Sequence, residues 1–269
     1  RNLSLLNQVK ELSLIFNTHK IHHVFVKGCP LLASGVYYDL GERMVGDIDI
    51  LVEPEHLHKA ERLLKETDYN SLEESLFGKY KDHRHLPRLI HPDRLGAVEI
   101  HSKLLRKERR NILNVKEILA NRRTINGVCV PTIEANLDIL ILNHQINDFG
   151  YLFKSINLKV CYDSLVLERQ TEPSATSKTS KYHRLFYTLK ALYFKSNSKT
   201  SKNTSLIVLK NVYKYLNKKG LARRIYIRIA KINIGLITCM EGMKLFIKNK
   251  HFRADVWTHK SEVIKLLKD

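Results

Sequence analysis

The sequence predicts an α+β protein, with an N-terminal mixed α/β sheet flanked by helices and an all-helical C-terminal domain behind it. Three observations predict it. Short β-rich runs alternate with helical runs over the first hundred residues. Beyond about residue 131 only helical periodicity remains. The charge balance also shifts along the chain: residues 1–150 carry 21 basic and 20 acidic side chains, residues 151–269 carry 25 and 7. The expected division is 1–130 for the α/β domain and 131–269 for a basic helical domain.

Residues 3–18 place Leu5, Leu6, Val9, Leu12 and Phe16 at three- and four-residue steps, which is an amphipathic helix. Ile21 to Val26 is a short β-rich run, followed by Lys27-Gly28-Cys29-Pro30 and a helical pattern through Leu31, Leu32, Val36 and Tyr37. A second strand is predicted at Asp47-Ile48-Asp49-Ile50-Leu51-Val52. Pro54 suits the first turn of a helix whose apolar stripe is Leu57, Ala60, Leu63 and Leu64. Leu86–Ile90 and Ala97–His101 read as a hairpin across the turn His91-Pro92-Asp93-Arg94. Residues 132–148, 151–168, 182–194 and 204–218 are successive helical runs, with one or two more after Gly220. The Ser-, Thr- and Lys-rich stretches 170–181 and 195–205 read as mobile surface loops.

With 269 residues, 43% hydrophobic and 27% charged, the chain can bury a core without disulfides or structural metal. Cys29, Cys129, Cys161 and Cys239 have neither CxxC nor zinc-knuckle spacing, which excludes a disulfide scaffold and makes a reducing cytoplasm the expected location. Arg228, Lys231 and Glu241 interrupt the longest apolar stretch, 225–247, so no membrane span is expected. The N-terminus, which opens on Arg1, lacks the order of a signal peptide. Of the net charge of +19, residues 151–269 carry +18, and this basic half suits nucleic acid, an anionic membrane face or an acidic protein as partner. Its bland counterpart is the solvated Lys-rich surface of a helical domain, since Lys lacks the bidentate fork of Arg.

The most informative segment is Gly46-Asp47-Ile48-Asp49-Ile50-Leu51-Val52. In a strand, Ile48 and Ile50 point one way and Asp47 and Asp49 the other, with the two Asp Cα atoms about 6.6 Å apart. Both carboxylates then reach one cation, and Mg²⁺ (or Mn²⁺) relieves their repulsion. Glu99, in Val98-Glu99-Ile100-His101, is a third carboxylate that joins the pair if its strand is adjacent. Three carboxylates on one face can hold two divalent ions about 3.5–4 Å apart, the arrangement that activates an attacking oxygen and steadies a leaving phosphate. A lone DxD is also a common feature of solvent-facing edge strands, and His101 reads as a polar neighbour of Glu99. Lys27 and Gly28 stand at a strand-to-helix turn, where backbone N–H groups can meet phosphate oxygens. Arg43 is either a phosphate clamp or a solvated turn residue.

The order Val26-Lys27-Gly28, then Arg43-x-x-Gly46-Asp47-Ile48-Asp49-Ile50-Leu51-Val52, then Val98-Glu99-Ile100-His101 resembles the uncharacterised bacterial nucleotidyltransferase family, a branch of the DNA polymerase β-like nucleotidyltransferase superfamily. Asn143-His144-Gln145 and Tyr162-Asp163-Ser164 are similar to its helical second half, so the resemblance spans roughly residues 20–168. It implies a nucleotidyltransferase fold and Mg²⁺-dependent transfer of a nucleoside monophosphate from an NTP. On the same resemblance Asp47 and Asp49 ligate metal, Glu99 is the third carboxylate, and Lys27 and Gly28 lie near the triphosphate. Gly28-Cys29-Pro30 departs from the usual Gly-Ser or Gly-Gly turn and lacks the hydroxyl that often grips the triphosphate.

Other patterns carry less. His56 and His58 fall on different helix faces; His83, His85 and His91 lie near a loop with no Cys beside them, which disfavours zinc. Cys29 reads as a buried structural thiol, and Tyr182, Tyr187 and Tyr193 read as core rather than as a base-stacking platform. The leading expectation is an enzyme whose helical domain selects the acceptor: RNA such as tRNA, a protein hydroxyl or a small molecule, with the basic half favouring RNA. The alternative is a catalytically inactive nucleotide- or RNA-binding module. A third reading is a toxin-like RNA-modifying enzyme restrained by a partner protein.

Overall fold

The computed structural model describes residues 1–72, 80, 84–170, 180–194, 204–218 and 220–259. Helix α1 (Asn2–Thr18) leads into β1 (His23–Val26) and the short α2 (Cys29–Ala33). The helical pattern through Tyr37 stops early because Gly35 takes φ +60° directly after α2. Strand β2 (Asp47–Val52) is followed by a 3₁₀ turn at Pro54–His56 and α3 (Leu57–Lys65). Next come β3 (Asn70–Ser71), β4 (Leu89–Ile90), β5 (Ala97–His101), a 3₁₀ turn, α4 (Val115–Ala120), β6 (Arg123–Ile125) and β7 (Val128–Val130). β6 and β7 form a hairpin over Asn126-Gly127, both at positive φ, as a two-residue hairpin turn requires.

The five strands order β1-β2-β5-β4-β3. β1 is antiparallel to β2, β2 parallel to β5, and β5 antiparallel to β4, so the sheet is mixed. Alternation along β2 and β5 sends Ile48, Ile50, Val98 and Ile100 into one core, where Leu5, Leu12 and Phe16 of α1 cover them. Gln8 ties that layer to the sheet: Gly96 N–H donates to its Oε1 at 2.9 Å, and its Nε2 donates to the Gly96 carbonyl at 2.8 Å. The opposite face receives Val24, Val26 and Leu51, which pack with Leu104, Leu105, Ile118 and Leu119. Asp47, Asp49, Glu99 and His101 share this second face.

Helices α5 (Ile133–Leu142), α6 (Gly150–Phe153), α7 (Leu158–Glu168) and α8 (Lys181–Tyr193) come after the hairpin. The run read as 132–148 begins as α5 and continues as a π-turn over Asn143–Asn147. The run read as 151–168 is broken by left-handed Lys154, after which Asn157 caps α7. In α8, Tyr182 is buried and Tyr187 packs at the core edge, as helical spacing predicts, whereas Tyr193 is exposed. Ser180 caps α8, and His183 Nε2 lies 3.0 Å from Asp138 Oδ1, which ties α8 to α5.

The chain divides into two compact units, Arg1–Leu72 with Arg84–Asn211, and Glu73–His83 with Val212–Asp269. The division expected at 130/131 falls inside the first unit, where Leu137, Leu140 and Ile141 of α5 share a core with the sheet. α9 (Thr204–Lys218) spans the boundary between units; the second unit contains α10 (Gly220–Lys248) and α11 (Lys250–Thr258). Phe252 is buried, and Arg253 Nη1 donates to the carbonyls of Phe246 and Ile247 at the end of α10. Among the described residues no helix is long and apolar enough to cross a membrane. The stretches read as surface loops, 170–181 and 195–205, lie mostly outside the described residues, as does His83.

Candidate active site

Strand pairing brings the carboxylates together. In the parallel β2–β5 ladder Asp49 is the register partner of Glu99, and Asp47 that of Ala97. The condition posed by the sequence, that the Glu99 strand lie beside the Asp strand, is therefore met. Asp49 and Glu99 are both buried, while the Asp47 side chain, two residues nearer the strand start, remains 41% exposed.

Three cationic or donor groups surround them. Lys27 leaves β1 with φ +62°, a left-handed conformation that is uncommon for a side chain with a Cβ. Its Nζ lies 2.5 Å from Asp49 Oδ1 and 4.0 Å from Glu99 Oε2. Arg88 spans the outer side, donating from Nη2 to Glu99 Oε1 at 2.8 Å and to Asp47 Oδ2 at 3.1 Å. From the base of the site His101 Nε2 donates to Asp49 Oδ1 at 2.8 Å. Burial alone raises the Asp49 carboxyl, but the His101 hydrogen bond and the Lys27 ammonium outweigh it and hold the group below its ordinary value. For Glu99 burial is likewise overcome, by His101 and Arg88, and the carboxyl stays well below the usual range. Both are firm carboxylates at neutral pH, suited to holding cations and poorly suited to accepting protons.

The donor atoms of Asp49, Glu99 and His101 all lie within 4.8 Å of one another, close enough for one ion. The hydrogen bonds behind these groups narrow the set. A metal-bound imidazole gives its other N–H to an acceptor. His101 Nδ1 is buried with no hydrogen-bond partner, while Nε2–H serves Asp49. His101 thus fits a donor that orients Asp49 better than a ligand. The remaining donors are carboxylate oxygens, Asp49 and Glu99 with Asp47 at the rim, a set that suits hard divalent cations such as Mg²⁺ or Mn²⁺. The Lys27 ammonium stands where positive charge between the carboxylates belongs.

Gly28 sits against Val45 and Arg43: a Cβ added there would meet Val45 Cγ2 at 3.0 Å and Arg43 Nη2 at 3.4 Å. Arg43 is neither solvated nor free. Its Nε donates to both oxygens of fully buried Asp163 at 2.9 and 3.0 Å, and the Tyr37 hydroxyl donates to the same carboxylate at 2.6 Å. Arg43 therefore stands beside the Gly28 turn with its guanidinium neutralised by Asp163 of α7. Cys29 is buried, and burial with the nearby Asp49 charge pushes its thiol up to about 12, so it is inert.

Sequence reasoning does not reach Arg88 or the role of His101. For Arg88 a signal exists: the hairpin register that pairs Leu89 with Val98 sets Arg88 directly across from Glu99. For Asp163, 120 residues from Arg43, no local pattern names the partner.

Residues 1–181 match the family described as uncharacterised nucleotidyltransferase. No curated protein sequence matches the chain. Among solved structures the chain is similar to the antibiotic-resistance factor ANT(2'')-Ia, with 11% identity, 72% of this chain and 95% of that chain covered, and a TM-score of 0.46. It is also similar to an antigenic nucleotidyltransferase-like protein from Paracoccidioides brasiliensis, with 16% identity, coverage of 71% and 88%, and a TM-score of 0.48.

Proposed function

The chain belongs to the uncharacterised nucleotidyltransferase family, and from that premise we propose that it moves a nucleoside monophosphate from an NTP to an acceptor hydroxyl, with a divalent cation held by Asp47, Asp49 and Glu99. The observation that carries this is the in-register pairing of Asp49 with Glu99, both ionised and both facing a protein cation. A bound Mg²⁺ or Mn²⁺ supplies Lewis-acid stabilisation of the reacting phosphoryl oxygens. The chain's own residues do the rest. His101 fixes the rotamer of Asp49, and Arg43, neutralised by Asp163, stands beside the turn at Gly28. Lys27 and Arg88 offer positive charge to the triphosphate once it arrives. The acceptor oxygen bonds to the α-phosphorus, the bond from that phosphorus to the oxygen bridging to the β-phosphate breaks, and pyrophosphate leaves. The hydroxyl proton passes to solvent.

The test is transfer of label from each α-labelled NTP, with Mg²⁺ or Mn²⁺, to RNA or to protein, using Asp47→Ala/Asp49→Ala as control. Label that appears and is lost in the folded double variant supports the enzyme; label retained in it overturns the assignment. A second reading, a nucleotide- or RNA-binding module without turnover, is favoured by one feature: Lys27 and Arg88 already neutralise the carboxylates. That reading requires nucleotide or RNA binding without label transfer, unchanged when the carboxylates are removed.

A further inference from the structure

Beyond the C-terminal end of β5 the chain builds a strip of cations and aromatic rings that the transfer chemistry does not use. Arg84, half-buried, is pulled below its ordinary value by burial and by nearby Arg106, while the Glu99 and Asp49 charges act in the opposite direction. Its Nη1 donates to the Leu104 carbonyl at 3.5 Å, on the segment that leaves β5. Arg106 lays its guanidinium 3.8 Å from the centre of the Phe149 ring, and Phe153 packs edge-on against Phe149 at 6.2 Å. One turn on, Lys154 Nζ lies 4.0 Å from the Tyr151 ring centre and Lys181 Nζ 5.2 Å from the same ring. Tyr151 packs edge-on against Tyr182, whose hydroxyl accepts from Arg109 Nε at 2.8 Å.

Two features mark the strip as more than surface charge. Lys154 and Lys181 flank one ring, and no carboxylate among the described residues pairs with either. Burial, and after it the neighbouring Lys181 charge, hold the Lys154 ammonium below its ordinary value, and an anion placed between the two relieves their repulsion. The backbone that presents the rings is also irregular: a π-turn over Asn143–Asn147, then left-handed Phe149 and Lys154 on either side of α6. Such conformations persist where the fold over-determines them and concentrate at functional segments.

We propose that this strip binds single-stranded nucleic acid and, on the transfer reading above, is the acceptor surface. Phosphates match the ammonium groups of Lys181 and of Lys154, which donates to the Tyr151 carbonyl at 2.9 Å, and bases match the half-buried rings of Phe149, Tyr151 and Phe153. An acidic peptide supplies the charge but no planar groups to stack.

The experiment is fluorescence anisotropy of the full chain with a labelled twelve-nucleotide RNA and with DNA of the same sequence, without NTP or metal, across a salt series. In Lys154→Asn/Lys181→Gln, where Asn tolerates the left-handed backbone, affinity is expected to fall about tenfold and the log–log salt slope to shrink by about 1.4, at roughly 0.7 per lost phosphate contact. Lys181→Gln alone, at a position that carries no backbone strain, keeps the test open should the double variant misfold, with half the change in slope. Undiminished RNA and DNA binding in the folded variants overturns the proposal. So does wild-type chain that binds polyglutamate and neither nucleic acid. Asp47→Asn/Asp49→Asn separates the two readings. If it and the wild type both bind nucleic acid through the strip but neither transfers label, the surface stands and the transfer reading falls. If label reaches RNA with unchanged KM in the Lys variants, the strip is not the acceptor surface.

Discussion

Lys27 and Arg88 hold, through hydrogen-bonded ion pairs, the carboxylate oxygens that a divalent cation must contest. The competition sets a sign. Lys27→Gln removes a positive charge from between Asp49 and Glu99, so Mn²⁺ binding is expected to tighten about tenfold, about 1.4 kcal/mol, while NTP binding weakens. Calorimetry with metal and nucleotide separately reads both; weaker metal binding would instead make Lys27 an organiser of the carboxylates. A second residue-scale effect lies away from the site. His23 is buried, its Nδ1–H given to the Ile21 carbonyl, and burial lowers its pKa to about 4. Its neutral form is thus favoured by folding: the contribution is full above about 6.5, falls as pH drops, and is exhausted near 4. Its share of stability is expected to fall by about 2 kcal/mol from pH 7 to pH 5. Urea unfolding at the two values checks this, and His23→Gln should flatten that part of the profile.

At the scale of elements, the parts of the site that lie on strands were legible and the parts that lie on contacts were not. Alternation in β2 and β5 fixes which side chains share a face, so Asp47, Asp49 and Glu99 could be placed from the sequence, and the hairpin turn at His91–Arg94 carries β4 to β5. What alternation leaves out is the partner strand's side chain, which is why Arg88 went unread despite its register. Arg43 shows the other limit. Its role depends on α7, which approaches only after folding, and a lone Arg in a turn looks solvated. The buried Arg43–Asp163 pair joins α7 to the segment in front of β2. Asp163→Ala leaves a buried guanidinium uncompensated and is expected to cost about 3–5 kcal/mol, read as a shift of the urea midpoint. A loss below about 1 kcal/mol would mean that solvent reaches Arg43 and that the pair is surface-like.

For the whole molecule, the charge step near residue 150 and the division by packing do not coincide. Composition reports the solvent-facing residues of each segment, whereas packing reports the buried ones, and α8 exposes Lys181 and Arg184 on a helix whose Phe186 shares a core with the sheet. The order of strands and helices and the helical C-terminal region were legible from periodicity, because periodicity is written by burial, whereas the nucleotidyltransferase-like sheet was implied by the family resemblance. Part of the cationic surface that the composition assigned to a separate helical half, Lys154 and Lys181 included, belongs to the sheet-bearing unit. The central claim is that Asp49 and Glu99, paired across β2 and β5, jointly hold a divalent cation for nucleotidyl transfer. It is tested most directly by Mn²⁺ titration followed by electron paramagnetic resonance on wild type and Glu99→Gln. Saturable binding in the wild type, weakened at least about tenfold in the folded variant, is the expected result. Equal Mn²⁺ affinity in the two proteins, or none in the wild type, would contradict it.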